Sequence, residues 1–481
     1  MTTDDVTIVG VSGGSHALAA AYPHLMELAG RYDATGDQLR RWAGRATRTL
    51  ADDDLVESAV LSPSTFAAAE TAVLATSAGP DGLLTESLAW ESDAVLIRVS
   101  VASLRATDEL VRATFEVLDH LAGRSVGFAL SASAPVWLPT AALAWLLWPT
   151  LPAALRSDLE ARAPGAADRL ETWLTDHPAA VQHLVNGGGG LLDGLWDGAT
   201  PLTPGGPFGV ATFTLDTESA AGVLAGLYDD GIPVTVPRDD LSGAASGDQP
   251  ASVEALLAHL GQVNDLSGDD VGGTIEVQTL TAPDGRTSHV VYLPGTDDLT
   301  TLPWTQDGDV RDLGTNFLLV GGADNAYQQG ILDAMHQAGI DADEPVLLAG
   351  HSQGGMAAAA ILSQGSDFDV THVVTAGSPT AQVDGFPAGS HVLSLENDGD
   401  VVPLLDGEDN RDSPEQVTVR LDGGPSGLAG HHGLDTYAAG GAAVDASTAP
   451  SLVDQVASLQ ESGFLGSGAT VTSQVFQITR G

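Results

Sequence analysis

The 481-residue chain contains no cysteine and no lysine. The first absence removes disulfides, thiolate nucleophiles and cysteine-ligated zinc or iron–sulfur centres together. The second removes a Schiff-base amine and the lysine of a phosphate-binding P-loop, since all 18 basic residues are arginine. Acidic residues number 64, so the formal net charge is -46, and nucleic acid or an anionic membrane would repel the surface. Positive charge is also missing from the N-terminus, which reads Met1-Thr-Thr-Asp4-Asp5 and has no basic region of a Sec-type signal peptide. The location expected on that ground is the cytoplasm, or the exterior by a route without such a signal. Charged residues are only 17% of the chain against 43% hydrophobic, so a buried core is expected rather than an extended polyanion.

Long unbroken apolar runs are scarce as well. Residues 125–155 carry no charge and include Trp137, Trp145 and Trp148, but Pro135, Pro139, Pro149 and Pro152 divide them. The pieces are shorter than the ~20 residues a membrane-spanning helix needs. A buried helical hairpin is expected there, with a membrane-touching or partner-binding patch as the alternative, and its apolarity also suits the wall or lid of a binding cleft. Upstream, three-to-four spacing predicts helices over 35–50 and 83–121, giving a bundle-like N-terminal domain at 1–130. Inside it, Trp42-Ala-Gly44 resembles the Trp-x-Gly turn of small helical-hairpin proteins exported by type VII secretion systems; the plainer expectation is one tryptophan packed in a bundle. The partners expected for the helical half are secretion machinery, as this resemblance implies, or a peripheral membrane contact through the apolar stretch.

Residues 131–245 are expected to hold the apolar helical segment and a Gly/Pro-rich connection. Residues 177–185 read as a helix, Asn186-Gly-Gly-Gly-Gly190 as a flexible turn, and 200–207 and 241–250 as loops. A phosphate cradle at the glycine run would need a strand before it, and the pattern there is helical. From 246 to 481 the character changes. β-Branched runs at 274–281, 289–293, 345–349, 372–376, 391–395, 417–421 and 473–479 are interspersed with helical patterns at 327–337, 356–363 and 452–459. With a hairpin turn at Pro283-Asp-Gly-Arg286, this predicts an α/β doubly wound, mainly parallel sheet opened by an antiparallel hairpin. Chemistry is expected beyond the carboxyl ends of the strands.

Two pentapeptides fit Gly-x-Ser-x-Gly: Gly10-Val-Ser12-Gly-Gly14 and Gly350-His-Ser352-Gln-Gly354. Such an elbow needs a strand before it, a helix after it, and a second oxyanion donor from the loop after an earlier strand. Ser12 has almost no chain before it and is expected to cap a helix. Ser352 follows Val346-Leu-Leu-Ala349 and precedes the small residues Gly355-Met-Ala-Ala-Ala-Ala360, and residues 289–293 lead directly into Pro294-Gly295-Thr296. Ser352 is therefore the expected nucleophile. Its partners should follow in the order carboxylate, then histidine. The run 391–395 leads into Glu396-Asn-Asp398-Gly-Asp400, and only His431 and His432 lie beyond. Asp400 is expected as the acid with Asp398 as alternate, and His432 as the base with His431 as alternate. His351 is expected to pack beside the elbow. The oxyanion donors expected are the backbone N–H groups of Gln353 and of the Gly295-Thr296 turn.

Together, Val346-Leu-Leu-Ala-Gly350-His-Ser352-Gln-Gly-Gly355, Pro294-Gly295-Thr296, Gly399-Asp400-Val-Val-Pro403 and His432 resemble serine lipases and esterases of the α/β-hydrolase superfamily. Over roughly 251–481 the likeness is greatest to class 3 lipases and related actinobacterial lipase-like proteins. It implies an α/β-hydrolase domain at 246–481, a Ser352–Asp400–His432 triad, and an oxyanion hole from Thr296 and Gln353. The implied activity is hydrolysis, or acyl transfer, on a lipid-like or other small-molecule ester, with no metal or cofactor. Pro294 stands where class 3 lipases usually carry a basic residue. The alternative expectation is an exported or partner-binding effector whose hydrolase domain is weak.

Overall fold

The structure, a computed structural model, describes residues 6–16, 18–79, 81–147, 172–173, 175, 177–199, 216–245, 247–267 and 271–481. Its contacts divide the chain into residues 18–114 and a second unit made of 1–17 with 115–481. Helices α1 (Leu18–Thr49), α2 (Asp53–Leu61), α3 (Pro63–Ala78) and the first part of α4 (Leu83–Leu147) build the helical unit. Helix α1 runs unbroken through Trp42 and Gly44, so the Trp-x-Gly turn does not form. Nor is Trp42 a core residue, at 47% exposed. The aromatic contact between α1 and α4 is instead Tyr32 edge-on to Trp90, with ring centroids 4.8 Å apart. Beside it, the Ser87 hydroxyl donates to the Gly36 carbonyl at 2.9 Å.

Helix α4 continues to Leu147 with Pro135 and Pro139 inside it. A proline removes one amide donor and bends a helix without having to end it, and for that reason 125–147 is one helix rather than a hairpin. The remainder of the expected hairpin, from Trp148 to Leu155, and the loop at 200–207 lie outside the described residues.

The second unit is an α/β layered structure. Its sheet contains, among the described residues, β1 (Thr7–Gly13), β2 (Pro233–Pro237), β3 (Thr274–Thr281), β4 (Thr287–Leu293), β5 (Pro345–His351), β6 (Asp369–Ala376), β7 (His391–Asn397), β8 (Gln416–Asp422) and β9 (Thr470–Arg480), in the order 1-8-7-6-5-4-3-9-2. Strands β4 to β8 are mutually parallel, and the pairs at both edges are antiparallel. The turn at 283–286 closes the β3–β4 hairpin, with Ala282 and Arg286 joined backbone to backbone at 2.9 Å.

Two strands fall outside the boundary expected at 246. Ser12 lies in β1 opposite Thr418, an edge-strand position, and does not cap a helix. The β-branched Thr7-Ile-Val segment finds its partner some 400 residues along the chain. Strand β2 comes from the stretch expected to be a connection, so the sheet is not complete within 246–481.

Among the described residues, and besides the end of α4, the helices of this unit are α5 (Pro178–Asn186), α6 (Gly188–Ala199), α7 (Thr217–Ala225), α8 (Asp239–Ala245), α9 (Val253–Asn264), α10 (Leu313–Val320), α11 (Ala326–Ala338), α12 (Gln353–Gln364), α13 (Leu428–His431), α14 (Leu434–Asp445) and α15 (Pro450–Glu461). Along β5 the buried residues alternate between two cores. Val346 and Leu348 join α11 and α12 on one face, while Leu347 and Ala349 join α9, α14 and α15 on the other. Both faces of the central strands are therefore dry, which accounts for their continuous apolar runs.

The glycine run at 187–190 is not a flexible turn. Gly187 ends α5, and Gly188 opens α6. A Cβ on Gly123 of α4 would lie 1.9 Å from the Gly187 carbonyl oxygen, and one on Gly127 would lie 2.1 Å from that of Leu191. One on Gly190 would lie 2.0 Å from the His120 carbonyl oxygen. These glycines let two helix backbones touch, and the contact anchors α6. Residues 241–245, expected as loop, are the end of α8, whose first turn carries Asp239 and Asp240 at the favourable end of the helix dipole.

Candidate active site

Ser352 joins β5 to α12 with φ 51° and ψ -121° and is, among the described residues, the one non-glycine with positive φ. Three neighbouring glycines permit this turn. A Cβ on Gly350 would lie 2.4 Å from the Gly355 nitrogen, one on Gly354 1.9 Å from the Leu293 oxygen, and one on Gly355 2.1 Å from the Ser378 hydroxyl. The Ser352 N–H donates to the Ala376 carbonyl at 2.9 Å, and its own carbonyl accepts from Met356 N–H at 3.2 Å. Strain of this kind is worth about 1–3 kcal/mol, and the packed strand–helix junction holds it in place.

The turn after β7 carries Asp400, which is 2% exposed. Its Oδ2 accepts from His432 Nδ1 at 2.6 Å and from the Tyr437 hydroxyl at 2.7 Å, while Oδ1 accepts from Val402 N–H at 2.9 Å. A carboxylate facing Nδ1 assigns the proton to that nitrogen and leaves Nε2 with the lone pair a base requires. The alternates are engaged elsewhere. Asp398 is ion-paired with Arg420 at 2.8 Å on an exposed face. His431 packs over Gly399, where a Cβ would lie 2.5 Å from its Nδ1, and that nitrogen is buried without a hydrogen-bond partner. The structure thus brings Asp400 to His432 and keeps Asp398 and His431 apart from that pair. Tyr437, one helical turn beyond His432, has no motif that would have singled it out.

His351 lies beside His432, with ring centroids 4.4 Å apart, and its Nε2 donates to the His432 carbonyl at 2.9 Å. Burial, and then the neighbouring His432, lower its pKa to about 3, so it stays neutral at any ordinary working pH. It fixes the main chain of His432 and does not compete for the proton.

Gly295 and Thr296 border the same cleft as Ser352 and His432. A Cβ on Gly295 would lie 3.0 Å from Ser352 Cβ, so the turn after β4 abuts the serine. Asn316 of α10 donates to the Thr296 hydroxyl at 3.1 Å and accepts from Gln353 Nε2 at 3.0 Å, and Gln353 also donates to the Asp312 carbonyl at 2.8 Å. This side-chain network ties the turn to the start of α12. There the Gln353 backbone N–H, at the first helical position, has no acceptor four residues back.

The cleft measures about 1230 Å³ and is mostly apolar, with Leu192 of α6, Leu224 of α7, Phe317 of α10 and Met356 of α12 along its walls. Asp265 and Asp435 are the only charged residues on it, and no arginine borders it among the described residues. Helices α6 and α7 line this cleft, while the side chains of 135–155, expected as a wall or lid, lie outside the described residues. Among the described residues no group of three or more His, Asp or Glu side chains could hold a metal ion, and no helix is long and apolar enough to cross a membrane. Comparison with protein-family models, curated proteins and solved structures finds no match to this chain.

Proposed function

We propose that the chain is a serine hydrolase of the α/β-hydrolase type that cleaves carboxylic esters with apolar acyl groups through an acyl-enzyme. The observation that carries this reading is the Asp400–His432–Tyr437 hydrogen-bond group, whose His432 borders the same cleft as a serine held at φ 51°. In the first half-reaction Ser352 Oγ attacks the ester carbonyl while His432 Nε2 takes the hydroxyl proton. The Thr296 and Gln353 N–H groups stabilise the oxyanion, and the alcohol leaves with the proton from His432. Water then repeats the sequence on the acyl-enzyme and releases the acid. Asp400 stabilises the imidazolium formed in each half, and Tyr437 fixes the carboxylate.

A mostly apolar cleft with no arginine among the described residues that line it favours uncharged acyl chains, and a formal charge of -46 disfavours anionic substrates. The likeness of the Ser352, Asp400 and His432 segments to class 3 lipases supports a lipid-like ester. The test is a panel of p-nitrophenyl esters of graded acyl length on the full chain. We expect kcat/KM to rise with chain length, and Leu192→Trp to move the optimum to shorter acyl groups by about tenfold in relative kcat/KM. No turnover of any ester contradicts the function. Equal turnover at all lengths, unmoved by Leu192→Trp, contradicts the assignment of the acyl wall.

A further inference from the structure

We propose that Arg311 is a positioning residue that orients the Gly295–Thr296 peptide and so presents the Thr296 N–H to the oxyanion; this rests on the ester-hydrolase reading. Arg311 is a fully buried side chain, 0% exposed, on the loop between β4 and α10. Its Nη1 donates to the Gly295 carbonyl at 2.8 Å. Its Nη2 donates to Asp297 Oδ1 at 2.7 Å and also to the Ser267 hydroxyl. The main chain of Arg311 continues the clamp. Its carbonyl accepts from Asp297 N–H at 2.8 Å, and its N–H donates to Asp309 at 2.9 Å. One residue therefore holds the turn that abuts Ser352 from both ends.

The peptide plane supplies the consequence. In a trans peptide the carbonyl and the following N–H point in opposite directions. With the Gly295 carbonyl drawn inward onto the guanidinium, the Thr296 N–H is aimed outward, at the cleft that Gly295 and Thr296 border with Ser352. If that peptide flipped, a carbonyl oxygen would face the developing negative charge and repel it. Stability alone does not account for such a buried pair, because a well-packed apolar side chain often does as well. Moreover, the Arg311 Nε–H is buried without a partner. The geometry it imposes on the peptide does account for it. The turn has no basic residue before it in sequence, where Pro294 stands, and the guanidinium reaches it through space.

The test compares Arg311→Met, Arg311→Lys and Asp297→Asn with the unmodified full chain. Concentrations are corrected by titration of Ser352 with a fluorophosphonate. We expect Arg311→Met to lower kcat by about 10²–10³ with KM changed by no more than a few-fold. Affinity for an alkyl trifluoromethyl ketone, whose serine adduct is an anionic tetrahedral mimic, should fall by a similar factor. Arg311→Lys and Asp297→Asn should lie between, and guanidinium ion should partly restore an Arg311→Ala variant. A purely structural role would lower thermal stability and leave kcat per titrated site and ketone affinity unchanged; that result overturns the proposal. If Arg311→Met does not fold, the same comparison is made on Arg311→Lys and Asp297→Asn. Ser352→Ala separates the two levels. Hydrolysis persisting in Ser352→Ala overturns the ester-hydrolase reading itself. An inactive Ser352→Ala beside fully active Arg311 variants overturns only the role given to Arg311.

Discussion

Asp400→Asn is expected to lower kcat for ester hydrolysis by about 10⁴ while the fold stays intact. The direction follows from which atoms face the carboxylate. Val402 presents a backbone N–H to Oδ1 at 2.9 Å, and a backbone N–H can only donate. The introduced amide must therefore keep its oxygen on Val402 and turn its NH₂ toward His432 and Tyr437. Two donors cannot share a 2.6 Å contact, so His432 is driven to carry its proton on Nε2, where the lone pair was needed. The Tyr437 hydroxyl can rotate to accept, so the amide is accommodated in the wrong tautomeric state. Tyr437→Phe removes one neutral donor to a charged acceptor and should cost about tenfold. Asp398→Asn and His431→Ala should leave kcat within a few-fold, because Asp398 faces Arg420 and His431 faces Gly399. Loss of activity in Asp398→Asn with retention in Asp400→Asn would reverse the assignment.

Ser352→Ala and Ser352→Gly should each reduce hydrolysis by about 10⁶, the scale on which an isolated nucleophile deletion acts. They should differ in stability. Alanine keeps the strain of a side chain at φ 51°, whereas glycine adopts that conformation freely. Setting the relieved strain against the larger backbone entropy glycine loses on folding leaves a net gain of about 1 kcal/mol for Ser352→Gly over Ser352→Ala. Denaturant unfolding of the two inactive variants checks this. A glycine variant no more stable than the alanine variant contradicts the strain at the turn.

How far the molecule was legible in its sequence depended on the range of the interactions involved. The central strands carry their own signal, since each is buried on both faces, and the run at 274–281 coincides with β3 to the residue. The tight turn at Ser352 was legible because the Gly-x-Ser-x-Gly pattern is itself local, although Gly354 and Gly355 make room for Leu293 of β4 and for Ser378 beyond β6. The place of Asp400 relative to Asp398 depends on Arg420, which the neighbouring strand β8 places opposite Glu396, and no local spacing encodes that pairing. The Thr7-Ile-Val run reads as a strand, but its pairing with β8 was hidden for the same reason. The glycines at 187–190 looked flexible because their purpose, contact with Gly123 and the carbonyl of His120 on α4, lies more than 60 residues upstream. Tyr437, Asn316 and Arg311 are single polar residues in ordinary surroundings and become conspicuous only once the fold brings their hydrogen-bond partners to them. The walls of the cleft, α6 and α7, belong to a stretch whose breakers read as linker.

The most direct test of the central claim is peptide mapping of the adduct formed with an alkyl fluorophosphonate on the intact chain. A nucleophilic serine activated by one imidazole predicts a single adduct at Ser352, abolished in His432→Ala and retained in His431→Ala. An adduct on Ser12 or another serine, or one at Ser352 whose rate is unchanged in His432→Ala, would contradict it.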